Sequence, residues 1–102
     1  MLKKIKKINH LKVSVLIANY NNGQYIKECI DSIIKQNYRY IEIIIHDDRS
    51  SDNSIKKLNE YKNVKIIKNK NRGKYGSYNQ MNAYYRAFKK SNGEIIFLLD
   101  SD

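Results

Sequence analysis

The chain has 102 residues, of which 41% are hydrophobic and 29% are charged, and its formal net charge is +10 at pH 7. This length allows at most one small domain, and no apolar run reaches the ~20 residues that a membrane-spanning helix requires. The single cysteine, Cys29, excludes an internal disulfide framework and a cysteine-based zinc site. We therefore expect a cytoplasmic protein, with peripheral contact at the inner membrane surface as an alternative.

The positive charge is compatible with three kinds of surface: one that binds nucleic acid, one that binds an anionic membrane, and one that is simply well solvated. Lysines are spread along the chain, and only residues 1–12 form a basic cluster, which we interpret as an N-terminal extension. This distribution favours the solvated surface and disfavours nucleic acid as a partner.

Strands and helices alternate along the rest of the chain. Val13–Ala18 is a β-branched run that ends in a turn cluster, and the helix that follows carries a stripe at helical spacing: Ile26, Cys29, Ile30, Ile33 and Ile34. Tyr40–His46 returns to strand composition. A short helix is marked by Ile55 and Leu58, with Ser51 or Asp52 as its N-cap.

The second half of the chain continues the alternation. Val64–Ile67 predicts a third strand, and a third helix is predicted from a stripe of large side chains: Met81, Tyr84, Tyr85 and Phe88. Asn92 and Gly93 end this helix, and Glu94–Leu99 is a fourth strand. The β-α-β-α-β-α-β order predicts an α/β fold, a Rossmann-like open parallel sheet with helices on both faces.

Polar and acidic residues follow the predicted strands. In a parallel sheet all of these loops lie along one edge, where ligands of α/β proteins bind. If the strand order is 3-2-1-4, a crevice lies between strands 1 and 4, with Asn19 and Tyr20 on one wall and Asp100, Ser101 and Asp102 on the other. We expect a site at this edge.

Two acidic motifs could supply its chemistry. Asp100 and Asp102 offer hard oxygen ligands for Mg²⁺ or Mn²⁺, although Asp-x-Asp alone also occurs in ordinary turns. Asp47 and Asp48 follow strand 2 directly, and we expect one to bind backbone amides of the turn and the other to bind a ligand. Tyr20 could stack on a flat base, or it could simply cover the start of the first helix.

Other side chains and motifs are less informative about function. His46 and Cys29 are predicted to be core residues. The sequence has no G-x-G-x-x-G after strand 1, no P-loop and no serine nucleophile elbow, which disfavours dinucleotide cofactors and the corresponding enzyme classes.

Taken together, residues 13–54 and 93–102 resemble the N-terminal half of the family 2 glycosyltransferases, which have the GT-A fold. Four linked motifs carry the resemblance: Ala18-Asn19-Tyr20-Asn21, Asp47–Asp52, Asn71-Arg72-Gly73 and Asp100-Ser101-Asp102. It implies that residues 13–102 form the nucleotide-sugar-binding half of a GT-A domain, incomplete as given. The implied reaction is sugar transfer from a nucleotide-diphosphate donor, UDP-sugar favoured, to a glycan, lipid or protein acceptor, with inversion.

The resemblance also assigns residues. It implies that Ala18 and Tyr20 line the base pocket beside Asn19, that Asp48 binds the base, and that Asp102 holds a divalent metal, Mn²⁺ or Mg²⁺. Asp100 would contact the ribose or join the metal shell, with Ser101 beside it. The catalytic base is expected beyond residue 102, so the chain alone is expected to be inactive.

Two departures from the family pattern stand out. Arg49 replaces the usual glycine, which is acceptable where the backbone does not need a positive φ. Tyr78-Asn79 stands where many members carry Arg-Asn, so an arginine contact to the donor is not expected there. A non-catalytic nucleotide-binding remnant and a basic nucleic-acid-binding module are the alternative functions.

Overall fold

A computed structural model of the chain describes residues 11–69 and 76–100. Strands and helices alternate as predicted, in the order β1 Val13–Asn19, α1 Gly23–Lys35, β2 Ile41–Asp47, α2 Ser54–Leu58, β3 Val64–Lys68, α3 Gly76–Lys89 and β4 Ile95–Asp100. The predicted α/β class is confirmed.

The four strands form one sheet in the order β3-β2-β1-β4, and each neighbouring pair is parallel. In the register, Asn19 at the end of β1 lies opposite Asp47 of β2. Ala18 lies opposite Asp100 of β4. The carboxyl ends of β1, β2 and β4 therefore meet at one edge of the sheet, and the strand order that we considered from the sequence is the observed one.

Helices pack on both faces of the sheet and bury its two central strands, β1 and β2, which are apolar on both sides. One face packs against α1 and α2 through a cluster of buried aliphatic side chains: Val13, Val15, Ile17, Ile26, Ile30, Ile33, Ile43, Ile45 and Leu58. The other face packs against α3 through a smaller cluster centred on Leu16, Ile44 and Ala87. Continuous apolar strands between two helical layers explain why β1 and β2 show no alternation of polar residues.

The helix stripes predicted from the sequence are only partly correct. In α1, Ile26, Ile30 and Ile33 are buried as predicted, whereas Cys29 is only partly buried and Ile34 is 54% exposed. In α3 the prediction is wrong for most of the stripe, since Met81, Tyr85 and Phe88 are all more than half exposed. Within the part of α3 whose burial is described, residues 80–89, the buried positions are instead Ala83 and Ala87, so this helix approaches the sheet through small side chains.

Strand β4 is the most exposed strand of the sheet. Four of its large apolar side chains are between 37% and 57% exposed: Ile95, Phe97, Leu98 and Leu99. Within the described residues β4 pairs only with β1. No helix in the described ranges is long and apolar enough to cross a membrane.

Candidate functional site

The turns after β1 and β2 are joined by a buried carboxylate. Asp47 is 2% exposed, and its Oδ1 accepts hydrogen bonds from Nδ2 of Asn19 at 2.8 Å and from Oγ of Ser50 at 2.7 Å. Its Oδ2 accepts the backbone N–H of Ser50 at 2.9 Å. Asp47 therefore has the turn-holding role that we predicted for one of the two adjacent aspartates.

Asn21 ties the same two turns together from the other side. Its Oδ1 accepts the backbone N–H groups of Ser51 at 2.8 Å and Asp52 at 3.2 Å, and its own N–H donates to Oγ of Ser50 at 2.9 Å. The backbone of Asn21 has a φ of 50°, a left-handed conformation that asparagine tolerates. The two turns consequently form one hydrogen-bonded unit.

The start of α1 is covered by the same unit. The backbone N–H of Gly23 donates to Oδ2 of Asp52 at 2.9 Å, and a β-carbon at position 23 would lie 2.5 Å from Oδ1 of Asn53. Burial works to raise the pKa of Asp52, but hydrogen bonds from Ser54 and from the Gly23 amide outweigh it, so this pKa lies below its ordinary value. A larger residue at position 23 would therefore require the Asn53 side chain to shift.

The predicted N-cap of α2 is displaced. The capping position is Asn53, whose side chain makes no capping bond. Asp52, one residue earlier, accepts the backbone N–H of Ser54 at 3.0 Å and so performs a similar function from outside the helix.

Arg49, in the turn between Asp47 and Ser50, has a φ of 56°. Arginine in place of the family's glycine is acceptable only where the backbone does not need a positive φ, and this turn does not meet that condition. The side chain of Arg49 is exposed, so the backbone alone carries this strain.

Asp48 lies at the centre of the edge. It is 5% exposed, and its backbone N–H donates to the carbonyl of Asn19 at 2.9 Å. Its Oδ1 accepts Nδ2 of Asn69 at 2.8 Å, and Oδ1 of Asn69 accepts Nη1 of Arg86 at 2.8 Å. A polar chain thus extends from the end of β2 across the end of β3 to α3.

Sequence reasoning missed Asn69 and Arg86 as site residues. Asn69 directly follows β3, and the rule that strand-end loops share one edge places its loop here, but it assigns the residue no contact. Arg86 is one of many cations in the sequence, and only the packing of α3 against the sheet brings it to Asn69.

His46 lies beneath this chain on β2. It is 1% exposed, which confirms the predicted core position. Burial, followed by the nearby positive charge of Arg86, lowers the pKa of this imidazole from its ordinary value, and the charges of Asp48 and Asp47 work in the opposite direction. Among the described residues neither ring nitrogen has a hydrogen-bond partner. His46 is therefore a neutral, packed side chain at neutral pH.

The residues predicted to bind the donor on β1 differ in exposure. Tyr20 is 40% exposed immediately after the strand, and Ala18 is partly buried beside the strand-end carboxylates. Asn19 is only 1% exposed and donates its amide to Asp47. Its described role is to hold the turn, and its contact with a donor stays a prediction.

Asp100 is exposed at the end of β4, where Nε2 of Gln80 donates to its Oδ2 at 3.2 Å. Ser101, Asp102 and the Asn71-Arg72-Gly73 motif lie outside the described residues. In the described part of the chain no three His, Cys, Asp or Glu side chains are grouped as a metal site. The structure thus places one of the two predicted metal ligands, a carboxylate, at the expected edge.

Cys29 lies near the same strand end, with Sγ 3.9 Å from the carbonyl oxygen of Asp100. Burial, and then the charge of Asp100, raise the pKa of its thiol. A thiol held in its neutral form is not an activated nucleophile, so this residue adds no covalent chemistry.

Comparison with known proteins agrees with this geometry. Residues 14–102 match the profile of Glycosyl transferase family 2. The glucosyltransferase WfaP of Escherichia coli, named UDP-Glc:alpha-D-GlcNAc-diphosphoundecaprenol beta-1,3-glucosyltransferase, is 39% identical over 90 residues, which cover 88% of this chain and 35% of WfaP.

Two solved structures are also similar. TarS 1–349 of S. aureus in complex with UDP superposes with a TM-score of 0.78 at 28% identity, covering 90% of this chain and 28% of that one. The mannosyltransferase PcManGT of Pyrobaculum calidifontis, solved with GDP-Man and Mn²⁺, gives the same TM-score, 0.78, at 22% identity, which is a likeness of fold alone, over 90% of this chain and 28% of that one.

The chain is short beside these proteins, since it spans no more than 35% of the length of any of the three. The family profile nevertheless matches residues 14–102, which is nearly the whole chain, and this range includes each of the strand-end motifs. The protein belongs to glycosyl transferase family 2.

Proposed function

We propose that this chain binds the nucleotide-diphosphate sugar of an inverting glycosyl transfer to a glycan, lipid or protein acceptor, and that it does not complete the transfer alone. One observation carries the proposal. Tyr20 and Asp48 directly follow β1 and β2, and Asp100 is the last residue of the neighbouring parallel strand β4, so all three lie at one edge of the sheet. An aromatic ring and two carboxylates at one edge suit a ligand with a flat base and a polar, metal-binding tail.

Each proposed contact follows from the chemistry of the side chain. The half-exposed ring of Tyr20 stacks on the base, beside Ala18 and Asn19. The carboxylate of Asp48, which only accepts hydrogen bonds when ionised, accepts an N–H of the base. Asp100 and Ser101 bind the ribose or the ligands around the metal.

The residues fit a divalent metal, Mn²⁺ or Mg²⁺. The exposed carboxylate of Asp100 is a hard oxygen donor, and Asp102 would supply the second, with water and diphosphate oxygens completing the shell. When bound, such a metal would neutralise the charge that develops on the leaving diphosphate. PcManGT, which shares this fold, was solved with Mn²⁺ and GDP-Man, and this supports the proposal of a divalent metal.

The similar proteins support a uridine-diphosphate sugar as the donor. The name of WfaP specifies UDP-Glc, and TarS was solved with UDP. The name of WfaP also specifies an undecaprenol-linked acceptor. Together with the net charge of +10, this supports peripheral association with an anionic membrane surface. We propose a catalytic base outside these 102 residues.

Isothermal titration calorimetry tests the donor site directly. We expect UDP to bind in the presence of Mn²⁺, and we expect Asp48→Ala to weaken binding by about tenfold or more, because it removes a charged acceptor from a buried position. Asp102→Ala should abolish the effect of Mn²⁺, and EDTA should weaken binding by the unmodified chain to the same extent.

Glu60→Ala is the matched control, since this exposed carboxylate pairs with Lys27 at 3.8 Å rather than with a residue of the proposed site. It should bind UDP like the unmodified chain. UDP binding that is unaffected by both Asp48→Ala and EDTA would refute the proposed site.

A further inference from the structure

A second buried carboxylate lies near the amino ends of the strands, away from the strand-end turns. Glu42, in β2, is 9% exposed, and Ser14, its partner in the register of β1, is fully buried. Oγ of Ser14 donates to Oε2 of Glu42 at 2.5 Å. A buried carboxylate needs hydrogen-bond partners that offset the loss of its hydration, and here these partners come from a turn.

The turn between α3 and β4 binds to this pair of side chains. The backbone N–H of Asn92 donates to Oε2 of Glu42 at 2.6 Å, and that of Gly93 donates to Oγ of Ser14 at 2.8 Å. The next two N–H groups along the chain donate to the carbonyl of Lys12. Of the four consecutive N–H groups that lead into β4, two therefore depend on side chains.

Glu42 controls both of these side-chain hydrogen bonds. A hydroxyl has one hydrogen to donate, and Ser14 donates it to Glu42, so a lone pair of Oγ faces the N–H of Gly93. The carboxylate thus accepts the Asn92 N–H directly and orients the acceptor for the Gly93 N–H. The fit is also tight, since a β-carbon on Gly93 would lie 2.6 Å from the backbone nitrogen of Ser14.

Positive charges face the other oxygen of Glu42. Nζ of Lys65, in β3, lies 3.4 Å from Oε1, and Nζ of Lys12, just before β1, lies 3.9 Å from it. Within the described ranges, α3 and its turn add one hydrogen bond to the carboxylate, that of the Asn92 N–H, and no ion pair.

These contacts favour the ionised carboxylate. Burial works to raise the pKa of Glu42, but the hydrogen bonds from Asn92 and Ser14 and the charges of Lys12 and Lys65 outweigh it, so this pKa lies below its ordinary value of 4.5. A group with a lowered pKa contributes stability above its ordinary pKa, and the contribution is lost as the pH falls through the lowered one. The hold of Glu42 on the turn is therefore complete at neutral pH and is lost in acid.

Strand β4 has few other attachments. In the described residues it pairs only with β1, and none of its side chains is among the buried residues of the two core clusters. Its far end is held from α3, where the hydroxyl of Tyr84 donates to the carbonyl of Leu99 at 2.9 Å. A strand with little buried apolar surface opens locally at a lower free energy than the core. The near end of β4 therefore depends on its turn.

We propose that the carboxylate of Glu42, acting with Ser14, is an acid-released latch that closes the α3–β4 turn and keeps β4 paired with β1. Protonation leaves the N–H groups of Asn92 and Gly93 with weaker acceptors, because a hydrogen bond to an ionised group is roughly twice as strong as one between neutral groups. Strand β4 then opens more often, and Asp100, its last residue, leaves the strand-end edge with it.

Hydrogen exchange of the 102-residue chain tests the latch, with each protection factor corrected for the intrinsic exchange rate at its pH. At neutral pH we expect the amides of β4 to be less protected than those of β2. Glu42→Gln should lower the protection of β4 by about fivefold, the difference between a hydrogen bond to a charged acceptor and one to a neutral acceptor. Gly93→Ala, which displaces the turn from Ser14 without changing any charge, should also lower it.

The pH dependence separates a latch from a merely structural carboxylate. The gap in β4 protection between the unmodified chain and Glu42→Gln should close as the pH falls below about 4, because a protonated glutamate is then compared with a neutral amide. In the unmodified chain, β4 should lose protection before β2 does. A gap that stays constant with pH, or simultaneous loss of protection in β4 and β2, would overturn the proposal.

Glu60→Gln is the matched control, because this carboxylate is exposed and pairs with Lys27 at 3.8 Å. It should leave the protection of β4 unchanged at every pH. Circular dichroism checks that each variant folds, and the comparison of β4 with β2 in the unmodified chain needs no variant. Unchanged β4 protection in folded Glu42→Gln and Gly93→Ala would also contradict the latch.

Discussion

At the scale of single residues, the turn after β2 combines strong hydrogen bonding with backbone strain. Asp47 accepts from both the N–H and the Oγ of Ser50, which closes the turn across Asp48 and Arg49. Closing it this tightly puts Arg49 at a φ of 56°. A side chain with a β-carbon costs about 1–2 kcal/mol in this conformation, whereas glycine adopts it freely.

We expect Arg49→Gly to stabilise the chain. The relief of backbone strain exceeds the extra conformational entropy of an unfolded glycine, which leaves a net gain of about 0.5–1 kcal/mol. Urea denaturation followed by circular dichroism measures the difference. Arg39→Gly is the control, since Arg39 is exposed and its φ is not positive, and there the glycine should destabilise. A loss of stability in Arg49→Gly would contradict the strain argument.

At the scale of elements, α3 lies against the sheet through alanines. Ala87 is 0% exposed and packs against Leu16 and Ile44, whereas Met81 is 71% exposed. A stripe of large side chains at helical spacing is normally the buried face of a helix. Here the small side chains face the sheet, and this close approach is what brings Arg86 to Asn69.

We expect enlargement of the alanine contact to be costly. Ala87→Leu inserts three carbons where there is no room and should destabilise the chain by about 1–3 kcal/mol. Replacing a buried methionine with alanine destabilises a protein by about 2–5 kcal/mol. Met81 is exposed, so Met81→Ala should destabilise the chain by less than about 0.5 kcal/mol. Thermal denaturation of both variants compares the two faces. If Met81→Ala destabilised the chain more than Ala87→Leu, the buried face of α3 would be the one predicted from the sequence.

The same comparison shows what the sequence can predict. Apolar runs such as Ile43–Ile45 identify strands, strands alternating with helices imply a parallel sheet, and a parallel sheet brings Asp48 and Asp100 to one edge. These steps need only local pattern and general topology. The burial of Ala87 and the Arg86–Asn69 contact depend on distances between elements, which no local pattern encodes.

At the scale of the whole molecule, apolar surface flanks β4 on both sides, with Tyr85, Phe88 and Leu98 lining a groove on the side of α3. An open groove of about 510 Å³ lies between α1 and the exposed side of β4, and its walls include Val15, Ile33 and Phe97. Strand β4 also carries no charged residue before Asp100. Edge strands of natural proteins usually carry charges or are covered, because an apolar edge associates with other chains.

We expect the chain to self-associate at high concentration through the apolar surface at β4. Phe97 is 55% exposed, and Phe97→Lys should shift sedimentation-velocity profiles toward monomer, since a charge on the face opposes pairing. Met81→Lys makes the same kind of change at an exposed residue of α3 and should leave the profile as it was. Equal effects of the two substitutions would point to net charge rather than to the β4 side.

The covered start of α1 has a consequence for charge balance. Many nucleotide-binding α/β proteins place phosphates on the free amides that open their first helix. In this chain the leading amide of that helix is occupied by the carboxylate of Asp52, an anion that also repels phosphate. The helix dipole is thus already compensated from within, and the leading amide of α1 offers no site for a phosphate.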